Sequence, residues 1–557
     1  MRLHLLVCTA LAGLPAFTLA AAEIPLNHKD VIVCYGDSIT EQHLYSAFIE
    51  GYVLTKYPDK QLTVWNFGWG GDTAFGGGRR YARDVQAVQP QVVLVAFGMN
   101  DGKYSAPDDA VKASYLANQR RLIETIRAGE ALPVLLTPTP VDPDHRDPTD
   151  VYNSTLAGLV AGLTALGGDM QVPVINQFDP VLTAMTAGKQ VDKKFTFMYD
   201  SVHPNTAGHL VMAYQVIKQL PEPGAAGAVA IVGTSATGTG AAAANVLREK
   251  TGVSFFMTLT RIPLWVPKDA RIALSLVPFQ QECNGLYLKV DGLDALAHYR
   301  IDVDGVAAGN LSGAEVMAGT DIALLDGAPW TRQARVVWEL GQVRWRRHLD
   351  AWRQLELMES PEATALPEIA KLKSVTRAAV DALWERMRVA AKPRTYRIAL
   401  RKANPVVITK VSVSPVYPMT SDFSAAFAPE TGVAEKPTAV LWTPAVMSPE
   451  GDLDLNEVLK RPINCATYVK VVFSADRSTV LNLSMGSDDG LVVIAGGQRL
   501  LAKDVYRGVN PGEEQLDVPL VAGRNEILFR VNNGSGGYGL NVRASTLGAA
   551  RVTAAER

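Results

Sequence analysis

The chain has 557 residues, 48% apolar and 20% charged, a globular composition that excludes a mainly disordered protein. At roughly 100–200 residues per domain, this length calls for two to four domains. Lys plus Arg number 54 against 56 for Asp plus Glu, a net of −2, which leaves no electrostatic footprint for nucleic acid.

Residues 1–22 read as a secretory signal peptide. Arg2 and His4 form a short basic start, and an apolar stretch from Leu5 to Leu19 is broken by Gly13 and Pro15. Ala20-Ala21-Ala22 then supplies small residues for cleavage before Glu23. A secreted or periplasmic location is expected. The stretch is too short and interrupted to cross a bilayer, and no later run reaches about 18 apolar residues, so no membrane span is expected. Cys34, Cys283 and Cys465 are odd in number and far apart, which does not make a disulfide framework. No Cys/His cluster has zinc spacing, and no metal or cofactor is expected.

Residues 30–220 alternate short apolar runs with amphipathic stretches. Strands are predicted at Val31–Tyr35, Leu62–Asn66, Val92–Phe97, Pro133–Thr137 and Val172–Asn176. Helices are predicted at Ser46–Tyr57, Arg79–Ala87, Val111–Ala128, Ser154–Leu166 and Ala207–Leu220. This alternation implies a parallel sheet covered by helices on both faces, with its active site at the carboxyl ends of the strands.

After Pro221 the composition changes. Residues 223–244 are rich in Ala, Gly and Thr, and 250–325 show strand alternation with a turn at Asp304-Gly305. Residues 328–391 are helical. Trp338, Trp345 and Trp352 recur every seven residues on one face, read as a packing stripe. The interleaved Arg335, Arg344, Arg346, Arg347 and Arg353 are read as a solvated face. From Ala403 a proline-punctuated stretch leads to strands at Val469–Phe473, Val480–Ser484, Gly490–Ala495, Gln515–Leu520, Asn525–Arg530 and Gly539–Arg543, the spacing of a β-sandwich. The expected organisation is a signal peptide (1–22), a catalytic domain (23–222), a β-rich segment (223–327), a helical segment (328–402) and a β-sandwich module (403–557).

Polar residues gather at the ends of the first domain's elements: Gly36-Asp37-Ser38, Asn66 through Thr73, Gly98-Met99-Asn100-Asp101, and Asp200-Ser201-Val202-His203-Pro204. They are read together as parts of one acyl-transfer site. Ser38 needs a base to become a nucleophile, and His203 is the candidate base. Asp200, three residues earlier, can reach the other ring nitrogen and fix the tautomer. The backbone N–H groups of Ser38 and Gly71 and the Asn100 side-chain amide would hold the oxyanion. Asp37, Asp72 and Asp101 brace their loops. Trp69 and Phe75 flank the oxyanion loop and are candidate substrate contacts. His145 with Asp142, Asp144 and Asp147 is read as a solvated loop rather than a metal site. His43 and His209 have no sequence partner that marks a function.

These four blocks, in this order, resemble the SGNH (GDSL-type) hydrolase superfamily over residues about 30–220. The first block continues Ile39-Thr40 where the naming form has Leu. The resemblance implies a flavodoxin-like α/β three-layer sandwich and a serine esterase needing no metal. Residues about 404–547 resemble the jelly-roll β-sandwich modules appended to secreted glycan-acting enzymes, through Gly486-Ser487-Asp488-Asp489-Gly490, Asp504 through Gly508, Gly523-Arg524-Asn525 and Gly536-Gly537-Tyr538-Gly539. In some relatives such loops bind calcium or sugar. Two carboxylates are too few for calcium, so Asp488-Asp489 is read as a structural turn. Tyr506, Arg507 and Tyr538 are candidate carbohydrate contacts.

The expected function is a secreted serine esterase that removes O-acetyl groups from polysaccharides or oligosaccharides, its partner being an acylated carbohydrate or other small ester. A lipid, aryl or general short-chain esterase is the rival within the class, and acyl transfer to another acceptor uses the same residues. A catalytically idle glycan-binding surface protein is the rival from another class.

Overall fold

Runs such as Val92-Val-Leu-Val-Ala96 carry no polar alternation, because a parallel strand is covered on both faces. In the computed structural model five such runs pair in parallel: β1 (Val31–Gly36), β2 (Thr63–Gly68), β3 (Val92–Ala96), β4 (Leu132–Leu136) and β5 (Val174–Ile175), in the order β2-β1-β3-β4-β5. The structure describes residues 23–145, 151–358, 360–419, 422–431, 440–548 and 550–554. The expected signal peptide lies outside them.

The strand order reverses at β1. Chain leaving β1 goes to β2 on one side, and β3 returns on the other, which opens a crevice at the carboxyl ends of the middle strands. The helices are α1 (Ser38–Glu41), α2 (Tyr45–Lys56), α3 (Ala74–Asp84), α4 (Asp109–Ala128), α5 (Tyr152–Met170), α6 (Phe178–Val191) and α7 (Thr206–Ile217). Helix α3 starts five residues before its predicted start. Thr73 caps it by accepting the Gly76 N–H, and a side chain at Gly77 would lie 2.5 Å from the Phe97 ring. Its glycines therefore let the helix press on the end of β3. Helix α6 was not anticipated, although Phe178, Val181, Ala184, Met185 and Gly188 form a buried stripe at helical spacing.

The chain divides into two compact units. Of the described residues, those up to Val53, in Asp59–Pro223 and in Pro267–Cys283 belong to one, and those in Leu54–Pro58, in Gly224–Val266 and from Asn284 onward to the other. Pro267–Cys283 thus packs with the first unit, where Asp269 accepts the Thr206 hydroxyl at 2.6 Å.

In the second unit, the Ala/Gly/Thr-rich stretch is itself stranded, as Gly227–Val232, Ser235–Thr239 and Ala241–Glu249. Strand Thr395–Val406 pairs with Gly252–Leu259 and His298–Val303, and its last residues pair with Gly539–Leu547. One strand therefore runs from the middle β-rich segment into the C-terminal sandwich, whose two sheets bury a shared core of Val471, Phe473, Leu483, Val493, Phe529 and Val542, among others. Asp304 and Gly305 both take positive φ, 52° and 81°, as a two-residue hairpin turn between His298–Val303 and Val306–Ser312 requires.

The helical segment is an antiparallel pair, Pro329–Ala351 and Pro367–Ala390. Trp352 is buried, and Trp338 meets Trp265 edge-on at 5.9 Å. Arg344 corrects the solvated-face reading: it is buried, with its guanidinium 4.4 Å from the Trp384 ring centre. Cys34, Cys283 and Cys465 are all buried, and no disulfide joins them. Among the described residues no helix is long and apolar enough to cross a membrane.

Candidate active site

The site begins where β1 stops. A side chain at Gly36 would meet the Thr40 hydroxyl at 2.3 Å and the Ala96 carbonyl at 2.4 Å, so only glycine lets the chain turn there beside β3. Asp37 caps α1 by accepting the Ile39 N–H at 3.0 Å. Ser38 is the first residue of that helix, half-buried at the crevice.

His203 arrives from the loop before α7. Its Nε2 lies 2.9 Å from the Ser38 Oγ, and its Nδ1 lies 2.8 Å from Asp200 Oδ2. A carboxylate only accepts, so Nδ1 carries the proton and Nε2 is left to accept from the serine hydroxyl. Asp200 Oδ1 also accepts the backbone N–H groups of Val202 (2.7 Å) and His203 (2.8 Å), which closes the loop on itself. Burial alone would raise the Asp200 pKa, but these N–H bonds and the His203 ring bring it down to about 2.

The loop after β2 is fixed at several points. Trp69 N–H donates to the Gly36 carbonyl at 3.0 Å, and Gly70 N–H donates to Glu41 Oε2 at 2.5 Å. Gly71 sits at φ 74° with open space where a side chain would be. The Asn100 amide donates to the Asp72 carbonyl at 2.9 Å, and its oxygen accepts the Tyr104 hydroxyl at 2.9 Å. The backbone N–H groups of Ser38 and Gly71 and the second N–H of Asn100 bond to no described residue. Three donors from the ends of three adjacent strands are thus uncommitted.

Several supports were not anticipated. The buried Arg80 guanidinium bonds the Gly36 carbonyl (3.1 Å), the Phe67 carbonyl (2.9 Å) and the Asp72 carboxylate (2.7 Å), and lies 4.3 Å from the Tyr35 ring centre. It ties the ends of β1 and β2 to the glycine loop. Gln42, one turn beyond Ser38, donates to the Pro204 carbonyl at 3.1 Å, next to His203. The Gln42 side-chain oxygen Oε1 lies 3.1 Å from His209 Nε2, and His209 Nδ1 accepts the Tyr45 N–H at 3.2 Å, so Nε2 carries the proton. Burial drives the His209 pKa down to about 3, which keeps this ring neutral. Asn66 clasps the Thr40 carbonyl, the Ser46 hydroxyl and the Gly68 N–H.

Asp37 and Asp101 are pushed up to about 7, chiefly by burial, with the Asp72 carboxylate adding to both. Asp101 meanwhile accepts the Ala74 N–H with both oxygens, at 3.1 and 3.2 Å, and so pins the start of α3.

Of the candidate substrate contacts, Trp69 is half-buried and Phe75 is 55% exposed with the Arg79 guanidinium 5.9 Å from its ring. Asp142 is not solvated: it is buried and pairs with Lys189 at 2.6 Å, while its N–H holds the Ser201 carbonyl at 2.9 Å. Asp147 lies outside the described residues. Among those residues no group of His, Cys, Asp and Glu could hold a metal ion. In the C-terminal module Tyr506 is exposed, and Arg507 pairs with Glu513 and Glu514 at 3.0 Å. Tyr538 corrects the carbohydrate-contact reading: it is buried and its hydroxyl donates to the Val531 carbonyl at 3.0 Å.

Residues 34–211 match the GDSL-like Lipase/Acylhydrolase family. The acetylxylan esterase of Geobacillus stearothermophilus is 26% identical over 186 residues, which span 32% of this chain and 80% of the relative. The solved structure of a gut microbial diltiazem-metabolizing enzyme aligns with a TM-score of 0.60 at 21% identity, over 69% of this chain and 100% of that one, a likeness of fold. A solved acetylxylan esterase from Geobacillus stearothermophilus covers 35% of this chain and 96% of its own at 20% identity, with a TM-score of 0.30.

Proposed function

Residues 34–211 form a GDSL-like lipase/acylhydrolase domain, and from that premise we propose that the protein is a secreted serine esterase that removes O-acetyl groups from polysaccharides or oligosaccharides. The observation that carries the reading is the hydrogen-bonded chain from Ser38 through His203 to Asp200.

Ser38 Oγ attacks the ester carbonyl while His203 Nε2 takes its proton. The carbonyl oxygen becomes an anion between the Ser38 and Gly71 N–H groups and the Asn100 amide. His203 returns the proton to the departing sugar oxygen, leaving Ser38 acylated. Water then attacks the acyl carbon, gives its proton to His203, and the cycle reverses to release the acid and restore the serine. Asp200 keeps the ring in the accepting tautomer throughout.

Three lines support the acetyl and carbohydrate part. A relative is an acetylxylan esterase, the first 22 residues have the pattern of an export signal, and a β-sandwich module follows the hydrolase domain. The test measures acetate release from acetylated polysaccharides beside p-nitrophenyl acetate hydrolysis, for the protein and its Ser38→Ala variant. The expected result is activity on both, with kcat falling at least about 10⁴-fold in the variant. Turnover of the small ester alone would remove the carbohydrate assignment, and an active Ser38→Ala variant would overturn the mechanism.

A further inference from the structure

We propose that Tyr104 is a positioning residue that fixes which end of the Asn100 amide faces the reacting ester. The inference rests on the reading of Asn100 as an oxyanion donor. An asparagine amide has two ends of nearly equal shape and opposite function: the nitrogen donates, and the oxygen repels an anion. Catalysis needs the nitrogen turned inward, so something must choose the rotamer.

Both ends of this amide are engaged. Nδ2 donates to the Asp72 carbonyl at 2.9 Å, and Oδ1 accepts the Tyr104 hydroxyl at 2.9 Å. A flip would set Oδ1 against the Asp72 carbonyl, two acceptors facing each other, and would break the bond from Tyr104. The nitrogen end is anchored through Asp72, whose carboxylate is held by the buried Arg80 at 2.7 Å. The oxygen end is anchored through Tyr104, whose ring stacks on Tyr152 with centres 5.0 Å apart and planes 29° apart. Tyr152 is buried and donates its hydroxyl to the Met99 carbonyl, beside Asn100. The amide thus sits between two braces from different elements.

The backbone supports the same conclusion. Lys103 and Tyr104 both take left-handed φ, 58° and 53°, a conformation that side chains with a Cβ adopt only when their surroundings impose it. The Lys103 N–H bonds the Asn100 carbonyl at 3.1 Å and the Gly102 N–H bonds the Gly98 carbonyl at 3.2 Å. A side chain at Gly102 would lie 2.5 Å from the Tyr152 hydroxyl. The segment after β3 therefore wraps tightly around Tyr152, and the outcome of that wrapping is a tyrosine hydroxyl delivered to the Asn100 oxygen. Tyr104 stays 41% exposed, so burying its ring is not what the strained turn achieves.

The test is a double-mutant cycle on the full chain with p-nitrophenyl acetate. Tyr104→Phe keeps the stacked ring and removes the hydroxyl alone. We expect kcat to fall roughly three- to ten-fold, the range of one hydrogen bond, with KM within about twofold. In an Asn100→Ala background the same change should have no further effect, because the group it acts through is gone. An equal loss in both backgrounds would overturn the proposal, as would wild-type kcat in Tyr104→Phe when Tyr104→Ala is impaired, since the ring rather than the hydroxyl would then matter. Full activity in Asn100→Ala alone would fall on the oxyanion reading itself, a result separable from a failure confined to Tyr104.

Discussion

Two turns of this molecule look alike and do different things. Gly36-Asp37-Ser38 and Gly486-Ser487-Asp488-Asp489-Gly490 each close or follow a buried strand, and each buries a carboxylate, Asp37 at 2% and Asp489 at 6% exposed. In the second turn the buried Ser487 and Asp489 side chains are both answered by structural partners. Asp489 accepts the Arg507 N–H at 2.9 Å and the Gly534 N–H at 2.8 Å, while the Ser487 hydroxyl donates to the Asp489 carbonyl at 2.7 Å and accepts from the Arg507 guanidinium at 3.1 Å. In the first, the serine hydroxyl faces a ring nitrogen able to take its proton, and nearby N–H groups are uncommitted. A buried polar turn is therefore no sign of chemistry by itself. What separates the two is an available base and donors left unspent by a rigid frame.

The largest expected effect is on the base. Asp200→Asn should lower kcat on p-nitrophenyl acetate by about 10³–10⁴, because an amide no longer imposes the tautomer in which Nε2 accepts. The melting temperature should barely move, since Asp200 is a largely exposed side chain with 59% accessibility. A loss below tenfold would mean that something other than Asp200 orients the ring. The matching change in the other turn is Asp489→Ala. It strands two N–H groups and should cost about 1–3 kcal/mol of stability, read in a urea titration, with kcat within twofold. If activity fell there as it does for Asp200→Asn, the division between a chemical turn and a structural one would collapse.

The parts of the site legible in the sequence are those set by short-range rules. Ser38, Gly71 and Asn100 follow strands whose apolar runs are unmistakable, and Asp200 and His203 are three residues apart. The supports were not legible, because their partners are distant. Gln42 bonds Pro204 across 162 positions and His209 bonds Gln42 across 167, and neither residue type announces its partner. Arg344 misled for a similar reason: a charge on a helix reads as solvated until the Trp384 face that covers it is known. The junction of the middle β-rich segment with the sandwich was likewise hidden. Thr395–Val406 is one strand that crosses the expected boundary between 402 and 403, and only tertiary register shows that its ends join different partners. Helix α6 is a different case, since its apolar stripe was there to be read.

The smallest effect concerns Asp37 and sharpens the comparison within the chemical turn. Burial, with Asp101 and Asp72 nearby, raises its pKa from the usual range near about 4 to about 7. Between those values the folded protein holds a proton that the unfolded chain has released. Stability from this group is therefore greatest at pH 4, declines as pH rises toward 7, and levels off above it. Asp37→Asn removes the titration and keeps an oxygen to accept the Ile39 N–H. Its melting temperature should match the parent's near pH 4 and exceed it by a few degrees at pH 8. Part of the decline should persist in the variant, because Asp101 is raised to about 7 as well. Asp200 moves the other way, down to about 2, so its own contribution is lost only on acidification from about pH 4 toward 2 and leaves the range from 5 to 8 unaffected. A difference between Asp37→Asn and its parent that stays flat from pH 4 to 8 would show that the turn buries an ionised carboxylate. The frame around Ser38 would then be held by charge rather than by a neutral cap.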